Sequence, residues 1–184
     1  MTKSRNAIHI ILVAALALLG GIRPGAAAGA GEINGSVTST LERFYRQVPG
    51  ARELGAKAAA VLVFPTIVKA GFGFGGEYGE GAMRIGGKTV AYYNTVAASF
   101  GFQIGAQARS VIIMFMTPEA LASFRRVDGW KVGVDGSVAI ITISAGGSID
   151  TDKITSPVVG FVVDPKGLMY NLTLEGSKIS RISR

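Results

Sequence analysis

Residues 70–81 read Ala-Gly-Phe-Gly-Phe-Gly-Gly-Glu-Tyr-Gly-Glu-Gly. Glycine takes nearly every second place, at Gly71, Gly73, Gly75, Gly76, Gly79 and Gly81, with Phe72, Phe74 and Tyr78 between. In a strand, alternate residues share a face, so this spacing strips one face of side chains. Such a strand is weak alone; it makes sense where another sheet, a helix or a ligand comes close to its backbone. These glycines are therefore read as structural. A second glycine-interrupted strand follows in SFGFQIGAQARS (99–110), where Gln103 and Gln107 fall on one face.

The surrounding chain supplies the other elements. Residues 60–64 (AVLVF) read as a short buried strand that Pro65 ends. Residues 82–86 and 88–96 pair as a hairpin about Gly86-Gly87. Residues 110–116 are a buried strand, and Thr117-Pro118-Glu119 opens a helix with a cap, a first-turn proline and an acid. That helix runs to about Phe124. Residues 132–145 are β-rich. Two last strands, 157–163 and 168–174, flank an Asp164-Pro165-Lys166-Gly167 turn. Upstream, 33–58 reads as helical, with Ser36 as N-cap. Val37, Leu41, Phe44, Tyr45 and Val48 form its apolar face, and Pro49-Gly50 divides it. The expected class is α+β: a curved antiparallel sheet or barrel-like core, an N-terminal helical segment and one short later helix.

The first 28 residues have a different character. Lys3 and Arg5 precede an apolar run from Ala7 to Leu19, and Ala26-Ala27-Ala28 forms a small-residue cleavage site. This is the order of a cleavable secretory signal, and the run is short of the roughly 20 residues a spanning helix needs. The expected organisation is a signal at 1–28 and one domain over 29–184, exported to a periplasm or cell envelope. Removing the signal leaves 16 basic and 12 acidic residues, so the charge falls from +7 to +4. It also removes His9, the only histidine, and there is no cysteine anywhere. Histidine- and thiol-based catalysis, thiolate and imidazole metal sites and disulfides are thereby excluded. The inventory points away from an enzyme, a resident metal or a cofactor. A mild positive charge without a dense Lys/Arg run also argues against nucleic acid.

Two nucleotide motifs match by spacing and fail by context. Residues 71–76 satisfy G-x-G-x-x-G, but Glu77-Tyr78-Gly79-Glu80-Gly81 follows instead of a helix, and no acid occurs between Gly81 and Arg109. Residues 82–89 (AMRIGGKT) resemble a relaxed phosphate loop, yet the following TVAYYNTVAA is strand-forming, so no helix N-terminus is available for a phosphate. Lys88 is read as a turn lysine, and no nucleotide is expected.

A third match spans the domain. KAAAVLVFPTIVKAGFGFGGEYGEGAM, GFQIGAQARSVIIMFMTPEALASF, WKVGVDGSVAI and GLMYNLTLEGSKI occur in order over roughly residues 50–180. In these blocks the chain resembles the SYLF-domain family, known for lipid binding. The pattern is carried by Phe64, Pro65, Lys69 and the glycines at 71, 73, 75, 76, 79 and 81. Gln103, Gly105 and Gln107 carry its second block, and Leu174, Glu175 and Gly176 its last. The resemblance implies a non-enzymatic module that binds phospholipid, as exported bacterial members do; eukaryotic members bind phosphoinositides and fungal ones also actin. The chain departs from the pattern at VVGFVVDPKGLMYN.

Physically, phospholipid binding needs an apolar concavity and a few cations. The bare strand face beside Phe72, Phe74, Phe100 and Phe102 offers an acyl groove. Lys69, at the head of the glycine-rich segment, is placed to meet a phosphate, with Gln103 nearby. Arg43, Arg46, Arg52 and Lys57 form the cationic face expected against an anionic bilayer. The same residues also admit a structural or protein-interaction module of the envelope, with unspecified protein partners.

Overall fold

The structure, a computed structural model, describes residues 28–141, 148–163 and 174–184, with the backbone alone at 70–74 and 99–107. The expected signal (but for Ala28), the Asp164–Gly167 turn and the strand at 168–174 (but for Leu174) lie outside these residues.

Helix α1 covers Ala30–Gln47 and α2 covers Ala51–Lys57. They are separated at Pro49-Gly50, and Gly50 has φ 85°. A side chain at Gly50 would also strike the Ile149 carbonyl oxygen, so glycine is required there twice over. The helical segment begins earlier than the sequence predicts. Gly29, not Ser36, precedes its first turn, and Ser36 lies inside the helix. Ile33, Val37, Leu41 and Phe44 form the buried stripe. Helix α3, Pro118–Arg126, starts as expected, with Thr117 Oγ1 accepting from the Ala120 amide at 3.2 Å.

The segments read as separate strands are continuous. Strand β1 runs Ala60–Ile85 and β2 runs Lys88–Phe115, paired antiparallel along their length about the Gly86-Gly87 turn. Both turn glycines have positive φ, 55° and 79°, as a two-residue hairpin turn demands. Pro65 does not end β1. It sits at a register shift between Phe64 and Ile67, where its missing amide breaks no ladder bond, and its carbonyl accepts from Ser110 Oγ at 2.7 Å.

A straight strand would place Val63 and Gly81 roughly 60 Å apart. Instead β1 folds back on itself. A Cβ at Gly81 would strike the Val63 carbonyl oxygen, and one at Gly79 would lie 2.7 Å from the Thr66 oxygen and 3.1 Å from Ile67 Cα. The close neighbour demanded by the glycine alternation is therefore the strand's own first half. The fold line runs through the glycine-rich middle, where Gly71 faces Gly105 and Gly73 faces Gly101 across the ladder, with a register shift between the two pairs. Bulges bend and twist a ladder.

Strand β5, Val158–Val163, pairs with the last part of β2, and β6, Lys178–Ile182, with its first part. Two short strands, β3 (Trp130–Lys131) and β4 (Ala139–Ile140), flank β6 and β5. The β4–β5 pairing is parallel, so the curved sheet is mixed rather than wholly antiparallel. Only two residues of the β-rich 132–145 segment form a named strand among the described residues.

The sheet is covered on both faces. Inside the curl, Leu62, Phe64, Met83, Ile113, Phe115, Phe124, Trp130 and Ile179 form one core. Under α1 and α2, Val37, Phe44, Leu54, Val63, Ile112, Met114 and Phe161 form another. This double burial is why VVGFVV and VIIMF are unbroken apolar runs rather than alternating ones. Trp130, which Lys131 follows, is a core residue with 3% of its surface exposed.

Candidate functional site

The fold in β1 creates a groove of about 530 Å³. The first turns of α1 supply Glu32, Ile33 and Ser36, the outgoing limb Pro65, Thr66 and Val68, and the returning limb Tyr78, Gly79 and Glu80. Its volume suits a small-molecule or acyl-chain site. Val68 and Tyr78 are 43% and 49% exposed, and Val96, the ladder partner of Tyr78, is 46% exposed. Exposed apolar side chains thus frame the glycine-rich bend on both limbs. Gly79 opens the groove floor because any side chain there would meet β1's own backbone.

The charges around the bend are internally matched. Glu77 receives the Arg109 guanidinium through both carboxylate oxygens and lies 3.8 Å from Lys69 Nζ. Glu80 receives the Tyr78 hydroxyl at 2.6 Å and the Arg184 guanidinium. Burial pushes the Glu80 carboxyl upward, but Tyr78 and Arg184 together hold it below the ordinary carboxylate range. Lys69, expected to meet a phosphate, therefore stands against a carboxylate and is not among the residues that line the groove. The groove is lined by Glu32 and Glu80 and by no cation among the described residues. It suits an apolar chain, not a phosphate.

The expected cationic face of α1 and α2 is not a free array. Arg43 turns inward and donates to Ser110 Oγ at 3.2 Å. Arg46 lies 3.9 Å from Glu42, and Lys57 lies 2.9 Å from Glu53 and 3.8 Å from Asp152. Arg52 stacks over the Tyr45 ring, 5.0 Å from its centroid. Arg43 cannot face a bilayer from this position, because the buried Ser110 that it contacts lies beneath α1. The side chains of Phe72, Phe74, Phe100, Phe102 and Gln103 lie outside the described residues. Of the expected structural glycines, Gly79 and Gly81 are required by close approach, while a Cβ at Gly76 would make only an ordinary contact, 3.6 Å from the Ala97 oxygen.

A second groove, also about 530 Å³, lies between α1, α2 and the β1–β2 turn. Leu41, Val61 and Ile85 give it apolar walls, and Arg52 and Arg84 carry its positive charge. Arg84 donates to the Asn34 carbonyl at 3.1 Å and to Thr38 Oγ1. Burial raises the Tyr45 hydroxyl's pKa against the opposing pull of Arg52 and Arg84. Gly55 gives the hydroxyl its space, since a Cβ there would lie 2.5 Å from it. Sequence reasoning missed Arg84 and Gly55; their signal lies in contacts between segments remote in the chain.

Helices on a curved mixed sheet with a glycine-paired hairpin define the class: an α+β domain. The family model described as "Ysc84: Las17-binding protein actin regulator" matches residues 96–183, so over that stretch the chain is similar to this family. No curated protein matches the chain. Among the described residues no helix is long and apolar enough to cross a membrane, and no cluster of acidic, histidine or cysteine side chains forms a metal site.

Proposed function

We propose that this protein is a non-enzymatic phospholipid-binding module of the cell envelope, exported by a cleavable signal. The observation that carries the reading is the groove at the hairpin bend, apolar at Ile33, Pro65, Val68 and Tyr78 and framed by exposed Val96. Apolar exposure next to a concavity marks a binding surface rather than a solvated one. Each buried methylene contributes about 0.8 kcal/mol, so a single acyl chain seated there supplies enough for micromolar binding before ordering costs. The family match adds weight through the lipid binding that the sequence resemblance implies. The absence of histidine and cysteine from the expected mature domain supports the non-enzymatic reading.

The test is lipid mass spectrometry on protein purified from its native envelope, joined to vesicle flotation. Phospholipid should co-purify with the wild-type chain, and Val68→Glu with Tyr78→Glu should abolish its retention while the fold persists. Retention of no lipid by the wild type, together with no flotation, would sink the proposal.

A second reading, a protein-interaction module, has its own observation. Strand β1 pairs with β2 alone among the described residues, so its other edge offers backbone groups to a partner strand. The family's printed description, which names a Las17-binding protein, points the same way. Detection of a stoichiometric protein partner with no bound lipid would favour it.

A further inference from the structure

The sheet carries a row of side chains that the helical cations had obscured. Lys131 of β3 stands opposite Lys178 of β6, Lys178 opposite Val96 of β2, and Val96 opposite Tyr78 of β1. Directly opposed residues project to the same face, so the four form one line across four strands, roughly 15 Å long. All four are exposed. The adjoining row, Trp130, Ile179 and Thr95, faces the core and is buried. The outer row is therefore a fixed face of the sheet.

Lys131 and Lys178 are like charges placed directly opposite, an arrangement that destabilises a sheet. Asp135 is close, but its Oδ2 accepts the Lys131 backbone amide at 2.7 Å, and among the described residues no ion pair joins Asp135 or Asp128 to either lysine. The Lys178 side chain passes over Gly129. Gly129, with φ 72°, leaves the space its side chain crosses, and a Cβ at 129 would strike Lys178 Cε and approach Nζ to 3.0 Å. Exposed valines stand in the turns on either side of β3, Val127 and the 76%-exposed Val134, and α3 ends beside them at exposed Arg125 and Arg126.

We infer that this row, Lys131–Lys178–Val96–Tyr78, with Val127 and Val134 at its margin, is the face that docks on an anionic phospholipid bilayer. Opposed, exposed lysines beside exposed aliphatic and aromatic side chains form the composition of an interfacial surface: apolar groups enter the headgroup boundary, and ammonium groups on flexible stems stay at phosphate level. Tyr78 belongs both to this row and to the bend groove, so docking brings the groove to the lipid. The inference rests on the phospholipid reading above and moves the membrane contact from the helices to the sheet.

The experiment is flotation of the full chain with vesicles of phosphatidylcholine alone and of equal parts phosphatidylcholine and phosphatidylglycerol. The wild type should bind the mixed vesicles and release them as salt rises. Lys131→Gln with Lys178→Gln should weaken that binding about thirtyfold, whereas Arg46→Gln with Lys57→Gln should leave it within about twofold. Circular-dichroism melting confirms that each variant is folded. Lys131→Gln alone, expected to cost about fivefold, replaces the double variant if that one melts early. Folded lysine variants that bind mixed vesicles like the wild type would overturn the docking face while leaving the phospholipid reading intact. A wild type that binds neither vesicle, even with acyl lipid co-purified, overturns docking alone; without lipid, both fall. Lysine-dependent capture of polyglutamate but not of vesicles would assign the face to an acidic protein instead.

Discussion

The Arg109 guanidinium clasps the Glu77 carboxylate across the folded hairpin, and each side chain is only 12% exposed. The two are not ladder partners: Arg109 faces Ile67, and Glu77 faces Ala97. Their contact joins the outgoing limb of the hairpin to the returning one, with Lys69 as a third member. The bend that makes the groove is thus clipped by charge as well as by the close approach at Gly79 and Gly81.

Removing the anion should be costly. Glu77→Ala leaves Arg109 and Lys69 facing each other with little solvent, and breaking a buried pair from one side costs about 3–5 kcal/mol. Urea denaturation should show a loss near the lower end, since Lys69 retains 30% exposure. Glu77→Leu with Arg109→Met should recover most of the stability. A Glu77→Ala midpoint equal to that of the wild type would show that the clasp contributes nothing.

Gly81→Ala and Gly76→Ala should behave oppositely. At 81 the new methyl meets the Val63 carbonyl, a backbone atom that can move only with its strand, so a loss of about 2 kcal/mol or more is expected. At 76 the nearest atom is 3.6 Å away, and the change should be within about 0.5 kcal/mol. Thermal melts of both proteins decide it; equal melting temperatures would contradict the folded-back strand.

Acid should weaken the bend through Glu80. Its carboxyl is held below the ordinary range by Tyr78 and Arg184 against the opposing effect of burial. A depressed native pKa means the stabilisation is present above the unfolded-state value and is lost as pH falls through the native one. Glu80→Gln should therefore flatten the acid limb of a melting-temperature profile, and Arg184→Ala should flatten it partly. An unchanged slope in Glu80→Gln would remove this residue from the acid response.

Phe124 should be the most sensitive position of α3. Its ring lies 4.8 Å from Phe115, 5.3 Å from Tyr93 and 5.4 Å from Trp130, joining the helix to both ends of β2 and to β3. Phe124→Ala should cost about 3–5 kcal/mol, read as a lower urea midpoint with weakened near-ultraviolet dichroism from Trp130. A cost below about 1 kcal/mol would show that α3 is peripheral.

Much of the fold was legible in the sequence because its signals are local. Helical spacing marked α1 and α2 and Pro49-Gly50 their division; Thr117-Pro118-Glu119 marked α3; Gly86-Gly87 marked the hairpin turn. Strand limits were less legible. Pro65 reads as a stop, yet a register shift carries the ladder past it, and a bulge depends on the partner strand rather than on the residues at the site. Strand β6 was missed because KISRI has only two strongly apolar residues, and its pairing comes from residues 92–96.

The same division runs through the candidate site. The sequence by itself determined that the strand at 70–81 has a bare face needing a close neighbour, since missing side chains are a property of composition. It also determined the chemistry on offer, by leaving histidine out of the expected mature domain and cysteine out of the whole chain. Only the tertiary structure decided that the neighbour is β1's own first half, because that contact joins Gly81 to Val63 across a bend no local pattern specifies. It also decided which cations are available. Arg43, Arg46, Lys57 and Lys69 have the charge for a membrane face, but a charge is free or engaged according to what the fold sets beside it. Here the fold sets partners beside those residues and leaves Lys131 opposite Lys178.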